Sequence, residues 1–147
     1  MAPASNPSAP TGIWGVDFRI HSQIDNNFCI EAQNGTQPGR GVTLQLCLGS
    51  DLQRWALPKF DNSTNIVVDY IGLCMDARLT NATNGFARLV QYCGSGDGSR
   101  FTVLQTGQVQ SVKNLKCLSI PGAASNAVVS LATCDDTKLG QLWSFGH

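Results

Sequence analysis

Apolar and polar residues alternate along this chain over short stretches and never over long ones. Val16–Ile20, Val42–Leu46, Ile66–Asp69 and Val128–Leu131 are brief apolar or alternating runs, the pattern of half-buried strands. Breaks rich in Gly and Asn separate them, among them Asn34-Gly35, Asn84-Gly85 and Pro121-Gly122. Such residues turn a chain because they tolerate or pre-set the dihedrals that turns need. No window of twelve residues carries an apolar stripe at helical spacing. The pattern predicts an all-β chain of short, regularly spaced strands, closed as a sandwich or a barrel.

The pattern also repeats. NNFCIEAQ, GVTLQLC and SDLQRWAL in the first third align with IGLCMDAR, ARLVQYC and GDGSRFTVL in the second, and with NLKCLSIP, AVVSLATC and KLGQLWSF in the third. Each third holds a leading cysteine (Cys29, Cys74, Cys117) and a trailing one (Cys47, Cys93, Cys134), 18, 19 and 17 residues apart. Each then reaches a Q-x-W-like triplet: Gln53-Arg54-Trp55, Ser99-Arg100-Phe101 and Gln141-Leu142-Trp143. One such unit cannot bury its apolar face alone, so the three must share a core. About four strands per unit imply a closed barrel with pseudo-threefold symmetry. The expected organisation is a flexible tail at 1–12 and one domain at 13–147, with repeats at about 16–60, 61–105 and 106–147. Trp55, Phe101 and Trp143 are expected to pack near the pseudo-axis. Gln53 and Gln141 beside them are expected to tie backbone groups together.

Composition narrows the partners. The 147 residues suffice for one core. Ten basic residues balance ten acidic ones, which argues against nucleic acid and against attraction to an anionic membrane surface. No stretch approaches the length of a membrane-spanning helix, so no membrane insertion is expected. Only 14% of residues are charged. A surface rich in Asn, Gln, Ser, Thr and Gly works through neutral hydrogen bonds and suits neutral polyhydroxyl ligands, a trait shared by many extracellular domains. An even set of six cysteines points to disulfides, an oxidising compartment and a secreted chain. The Ala-, Pro- and Ser-rich start lacks an apolar leader core, as expected of a mature chain. No C-x-x-C pair occurs and the two histidines are His21 and His147, so neither a metal nor a cofactor is expected. Six cysteines allow fifteen pairings and sequence alone does not choose. The threefold repetition favours Cys29–Cys47, Cys74–Cys93 and Cys117–Cys134. Oligomeric state is left open.

Three copies of C-(I/M/L)-(D/E/S), a V-x-L-x-x-C strand and a Q-x-W end resemble the ricin B-chain lectins and the related carbohydrate-binding modules of bacterial xylanases. The resemblance runs from about Val16 to Phe145. It implies a β-trefoil with up to three sugar sites for galactose-type or xylose-type ligands. Each family site uses a carboxylate two residues after the leading Cys, an aromatic ring two before the trailing Cys, and polar side chains just before the Q-x-W. A carboxylate accepts hydrogen bonds from two neighbouring hydroxyls. A ring covers the C–H face of a pyranose. Amides take the remaining hydroxyls, and an unpaired polar group rejects the wrong epimer.

Carried onto this chain, the resemblance implies unequal sites. The second repeat offers Asp76, with Asp97 before its triplet. Gln91 stands at its ring position, and Tyr92 is one residue off, on the opposite strand face unless a bulge re-aims it. The first repeat offers Glu31, with Gln45 for the ring and Thr43, Asp51 and Gln53 to complete a polar pocket. In the third, Ser119 and Ala132 replace both key groups, which reads as a structural unit. The expected function is a lectin that binds glycans or glycoconjugates through shallow polar sites. No catalysis is expected, since no G-x-S-x-G or similar setting surrounds a serine. Alternative readings are an accessory module of a glycoside hydrolase and a protein-binding trefoil, either a protease inhibitor or adhesin-like. No bait loop and no cluster of basic residues favours the latter.

Overall fold

The computed structural model describes residues 15–32, 42–57, 63–68, 74–77, 88–90 and 100–146. The expected tail, Gln91, Tyr92, Cys93, Asp97 and His147 lie outside the described residues. Among the described residues, thirteen short strands fall into three groups. The first third supplies β1 (Gly15–Ser22), β2 (Phe28–Ala32), β3 (Val42–Leu46) and β4 (Trp55–Leu57). The second supplies β5 (Ser63–Asn65), β6 (Val67–Val68), β7 (Cys74–Asp76), β8 (Arg88–Val90) and β9 (Arg100–Val103). The third supplies β10 (Val109–Ser111), β11 (Lys116–Ser119), β12 (Ser130–Thr133) and β13 (Trp143–Gly146). β5 and β6 stand where the other thirds have one strand, parted at the buried Ile66. The described residues hold no α-helix; single 3-10 turns at Asp51–Gln53 and Leu139–Gln141 precede β4 and β13.

The first and last strands of the units pair around a ring. β1 pairs with β4 and β13, β4 with β6, β5 with β9, and β9 with β10. A bond from the Trp143 N–H to the Gly107 C=O joins β13 to the approach of β10. The middle strands form three antiparallel hairpins, β2–β3, β7–β8 and β11–β12. Each leading cysteine faces one residue of its unit's first strand: Cys29 faces His21, Cys74 faces Val67, Cys117 faces Gln110. This is a β-trefoil.

The core is shared by all three units. Ile20, Ile30, Leu44, Ile66, Met75, Leu118 and Leu131 pack with Trp55, Phe101 and Trp143, all buried. The Trp55 indole N–H donates to the Ile30 C=O at 3.1 Å, and that of Trp143 to the Leu118 C=O at 3.4 Å. Both acceptors directly follow a leading cysteine. Phe101 holds the equivalent place in the second unit without a donor.

The two glutamines act as clamps. Gln53 Oε1 accepts the Leu48 N–H at 3.1 Å and its Nε2 donates to the Leu46 C=O at 2.8 Å. Gln141 does the same with the Asp135 N–H at 2.8 Å and the Thr133 C=O at 2.9 Å. Each buried amide thus grips the chain on both sides of a trailing cysteine and holds the 3-10 turn against the hairpin. Disulfides Cys29–Cys47 and Cys117–Cys134 lie within their own units. Each closes a short loop, worth on the order of 3 kcal/mol in the chain-entropy model. Cys74 is also disulfide-bonded, and its expected partner Cys93 lies outside the described residues. Gly140 is required by proximity: a Cβ there would collide with the Ile120 carbonyl oxygen, and the Ile120 N–H donates to the Gly140 C=O at 3.0 Å.

One strand differs from its apolar pattern. The run Val128–Leu131 enters its hairpin only at Ser130, because the preceding residues pair with the first unit instead. Val128 bridges Thr43, and the Val129 N–H donates to the Val42 C=O at 3.0 Å. The Leu44 N–H donates to the Ala127 C=O, and the Asn126 N–H to the Leu44 C=O, both at 2.8 Å. Residues 126–129 therefore form a seam along β3. The run Ile66–Asp69 likewise shortens to Val67–Val68, with Asp69 outside the described residues.

Trp55→Phe removes one buried hydrogen bond but keeps a ring that the fold accepts at Phe101. It should lower the unfolding free energy by about 1–2 kcal/mol. Trp55→Ala should lower it by about 3–5 kcal/mol, with urea denaturation followed by circular dichroism as the measurement.

Candidate functional site

The β2–β3 register sets the first unit's polar face. Glu31 lies across from Thr43 and Cys29 across from Gln45, so these four side chains share one face, while Ile30 and Leu44 point to the core. Glu31 is half-buried, and its Oε1 accepts a bond from Gln53 Nε2 at 3.0 Å. Gln53 is fully buried, with both amide hydrogens and its oxygen already engaged within the protein. This corrects its expected place among the sugar contacts: nothing of its amide remains to offer a ligand. It orients Glu31 from behind and leaves that carboxylate's remaining acceptor positions to the outer side.

Gln45 stands where a ring was sought. Its Nε2 donates to Asn126 Oδ1 at 2.7 Å and, more weakly, to Thr43 Oγ1 at 3.4 Å. Asn126 has φ 69°, a left-handed conformation that Asn tolerates better than most residues. It belongs to the seam from the third unit, 81 residues away in sequence, and no local motif marked it. Glu31, Thr43, Gln45 and Asn126 thus make one polar surface, with Gln53 beneath. Asp51 does not join it. It opens the 3-10 turn and pairs across that turn with Arg54 at 3.8 Å, an exposed contact of small energetic value.

The second unit differs. Asp76 lies across from Arg88 in β7–β8 and is fully buried, with its interactions made inside the protein. Val90, not Gln91, faces Cys74, so Gln91 is not the register counterpart of Gln45. The physical reason is one additional residue between β8 and Cys93, compared with the stretches from Gln45 to Cys47 and from Ala132 to Cys134. Gln91, Tyr92 and Asp97 lie outside the described residues.

In the third unit Ser119 faces Ser130 and Ala132 faces Cys117. Ser119, Ile120, Pro121, Val128 and Ser130 line a shallow depression that has no carboxylate. Shortly after β12, Asp135 Oδ1 accepts from the Thr137 hydroxyl at 2.6 Å and the Thr137 N–H at 3.0 Å. These bonds, the hydroxyl first, hold the Asp135 carboxyl below its ordinary pKa. His21, Cys29 and Cys47 bring three donor atoms within 4.8 Å of one another. Both sulfurs are spent in the disulfide, so they cannot serve as thiolate ligands.

The sequence matches the family described as "Ricin-type beta-trefoil lectin domain" over residues 14–100 and again over 62–147. The chain belongs to this family. It is a lectin domain, a kind of module that binds carbohydrate. No curated protein matches it by sequence. Among solved structures it is similar to the designed threefold-symmetric protein ThreeFoil, with TM-score 0.73, 19% identity, and 87% of this chain and 96% of that one covered. It is similar to the earthworm R-type lectin C-half in complex with GalNAc, with TM-score 0.69, 11% identity and coverages of 89% and 97%. It is also similar to the Polyporus squamosus lectin bound to Neu5Aca2-6Galb1-4GlcNAc, with TM-score 0.71, 17% identity and coverages of 93% and 50%. The lectin domain therefore spans half the length of that last protein.

Gln53→Leu should strand the Leu48 N–H and the Leu46 C=O and lower stability by about 1–3 kcal/mol, measured by urea unfolding. Asp135 should titrate below the ordinary value of 3.8, followed by carboxyl-carbon NMR. Because its folded pKa is depressed, its contribution to stability is present above the unfolded value and is lost as pH falls through the folded one. Thr137→Val should bring the midpoint back up.

Proposed function

We propose that this lectin domain is secreted and binds galactose-type glycans through the first unit, with Glu31 as principal acceptor, and that it has no catalytic step of its own. The observation that carries the reading is the half-buried Glu31 carboxylate, buttressed by Gln53 and standing beside Thr43, Gln45 and Asn126. A pre-oriented carboxylate takes hydrogen bonds from adjacent hydroxyls without first losing side-chain freedom. Gln45 Oε1 is the acceptor left for a third hydroxyl. The galactose-configured residues named in the earthworm and Polyporus squamosus complexes support the ligand class. The three disulfide-bonded leading cysteines support an extracellular setting.

Among the described residues the site has no ring to cover the sugar's C–H face, so a single contact is weak, because hydroxyls exchange water for protein at small net gain. Useful binding then relies on several copies meeting a glycan-coated surface.

A glycan array on the purified chain tests this reading. Galactose-terminated glycans should give the strongest signals, and Glu31→Gln should weaken them about tenfold or more. Ser119→Ala should leave them unchanged. Signals that survive Glu31→Gln, or that favour glycans without galactose-type residues, would reject it.

A further inference from the structure

We propose that Cys47 is a modification site, at which a small thiol opens the Cys29–Cys47 bridge by exchange while His21 receives the departing Cys29 sulfur. The two halves of this bridge are not equally accessible. Cys29 is fully buried and Cys47 is half-buried. Cys47 lines an open depression with His21, Asn26, Asn27, Leu48 and Ser144, and Cys29 does not. A thiolate arriving from solvent therefore meets the Cys47 sulfur.

His21 stands against the bridge. The β1–β2 register sets it across from Cys29. Its Nδ1 lies 2.9 Å from the Asn26 carbonyl oxygen and 3.5 Å from each of the two sulfurs. A carbonyl only accepts, so Nδ1 carries the hydrogen. In the exchange a thiolate RS⁻ attacks Cys47 Sγ. The bond between RS and Cys47 forms, the bond between Cys47 and Cys29 breaks, and Cys29 departs as a thiolate with the electron pair. Total charge is unchanged. A thiolate left in a buried place is costly unless a donor meets it, and the Nδ1–H is within reach of Cys29. Stabilising the departing thiolate speeds exchange. A second RS⁻ attacking the RS sulfur of the mixed disulfide releases Cys47 as a thiolate and yields RSSR.

The third unit supplies a matched comparison. Cys117 is fully buried, while Cys134 is half-buried and lines a depression of its own. Gln110 holds the place of His21, across from Cys117. Its Nε2 donates to the Leu115 C=O at 3.2 Å and lies 3.8 Å from Cys134 Sγ, and Gln108 Nε2 lies 3.8 Å from Cys117 Sγ. An amide thus suffices to hold the turn carbonyl. The imidazole comes closer to its bridge and, unlike an amide, gives and takes protons. The depressions also differ in charge. Two carboxylates, Asp135 and Asp136, and one cation, Lys138, border Cys134, whereas no carboxylate borders Cys47. An anionic thiolate is therefore opposed at Cys134 and not at Cys47. Opening the first bridge has a consequence for the neighbouring face. Cys47 sits between Leu46 and Leu48, whose backbone groups Gln53 grips while it orients Glu31, and release of Cys47 loosens that grip. This consequence rests on the carbohydrate reading; the exchange does not.

Incubation of the full chain with reduced glutathione, trapping of free thiols with N-ethylmaleimide and peptide mass spectrometry test the proposal. Cys29–Cys47 should open about tenfold or more faster than Cys117–Cys134, with glutathione on Cys47 and the trapping label on Cys29. His21→Gln installs the residue that the third unit carries at this place, and should slow the first bridge about tenfold. Gln110→His should speed the third. Equal rates for the two bridges, a faster third bridge, or glutathione found on Cys29 would overturn the proposal. So would an unchanged rate in His21→Gln with native circular dichroism, or a third bridge that Gln110→His does not accelerate. On the glycan array, opening the first bridge should lower galactose signals about tenfold; unchanged signals would overturn the link to Glu31. Galactose signals missing already in the intact chain reject the first-unit sugar site and leave the exchange standing.

Discussion

Each third of this chain has an apolar face that it cannot cover by itself. Ile30, Met75 and Leu118, one from each hairpin, are all buried against residues of the common core. Burial of apolar area at about 25 cal/mol per Å² is the main term available to offset the ordering of so many short strands and turns. It becomes available only when all three units are present. The rings of Trp55, Phe101 and Trp143 bring the units' last strands into that core, and the two indoles also fasten the hairpin of their own unit through a carbonyl next to its leading cysteine. Hairpins, disulfides and polar faces take their positions from that arrangement.

The same scaffold prepares the first unit's chemistry. Gln53 secures the backbone around Cys47 and, with its remaining hydrogen, holds Glu31. The group that stabilises the trailing turn therefore also orients the candidate acceptor. Gln141 makes the same two backbone bonds in the third unit, but Ser119 stands where a carboxylate would be. One unit thus keeps the frame and the ligand-facing acceptor together, while another keeps the frame alone. The fold tolerates that loss because the clamp, not the carboxylate, supports the turn.

Much of this was legible in the sequence, for physical reasons. Cysteines and aromatic residues recur in all three units, and the glutamine in two of them, because the threefold frame uses them at equivalent points. The run at Val42 places Val42 and Leu44 in the core, as its apolar positions announced. What was not legible depends on contacts between distant segments. Asn126 reaches Gln45 through a seam whose two edges are remote in the chain. The burial of Asp76 and the pairing of Val90 with Cys74 follow from strand register, which cysteine spacing alone left one residue uncertain.

Differential scanning calorimetry tests the shared core most directly, because the comparison of calorimetric and van't Hoff enthalpies reports how many units melt together. With the disulfides intact, the two enthalpies should agree and the chain should melt in one transition. A van't Hoff enthalpy well below the calorimetric one, or separate transitions for separate thirds, would mean that the units hold themselves together independently and would contradict the account.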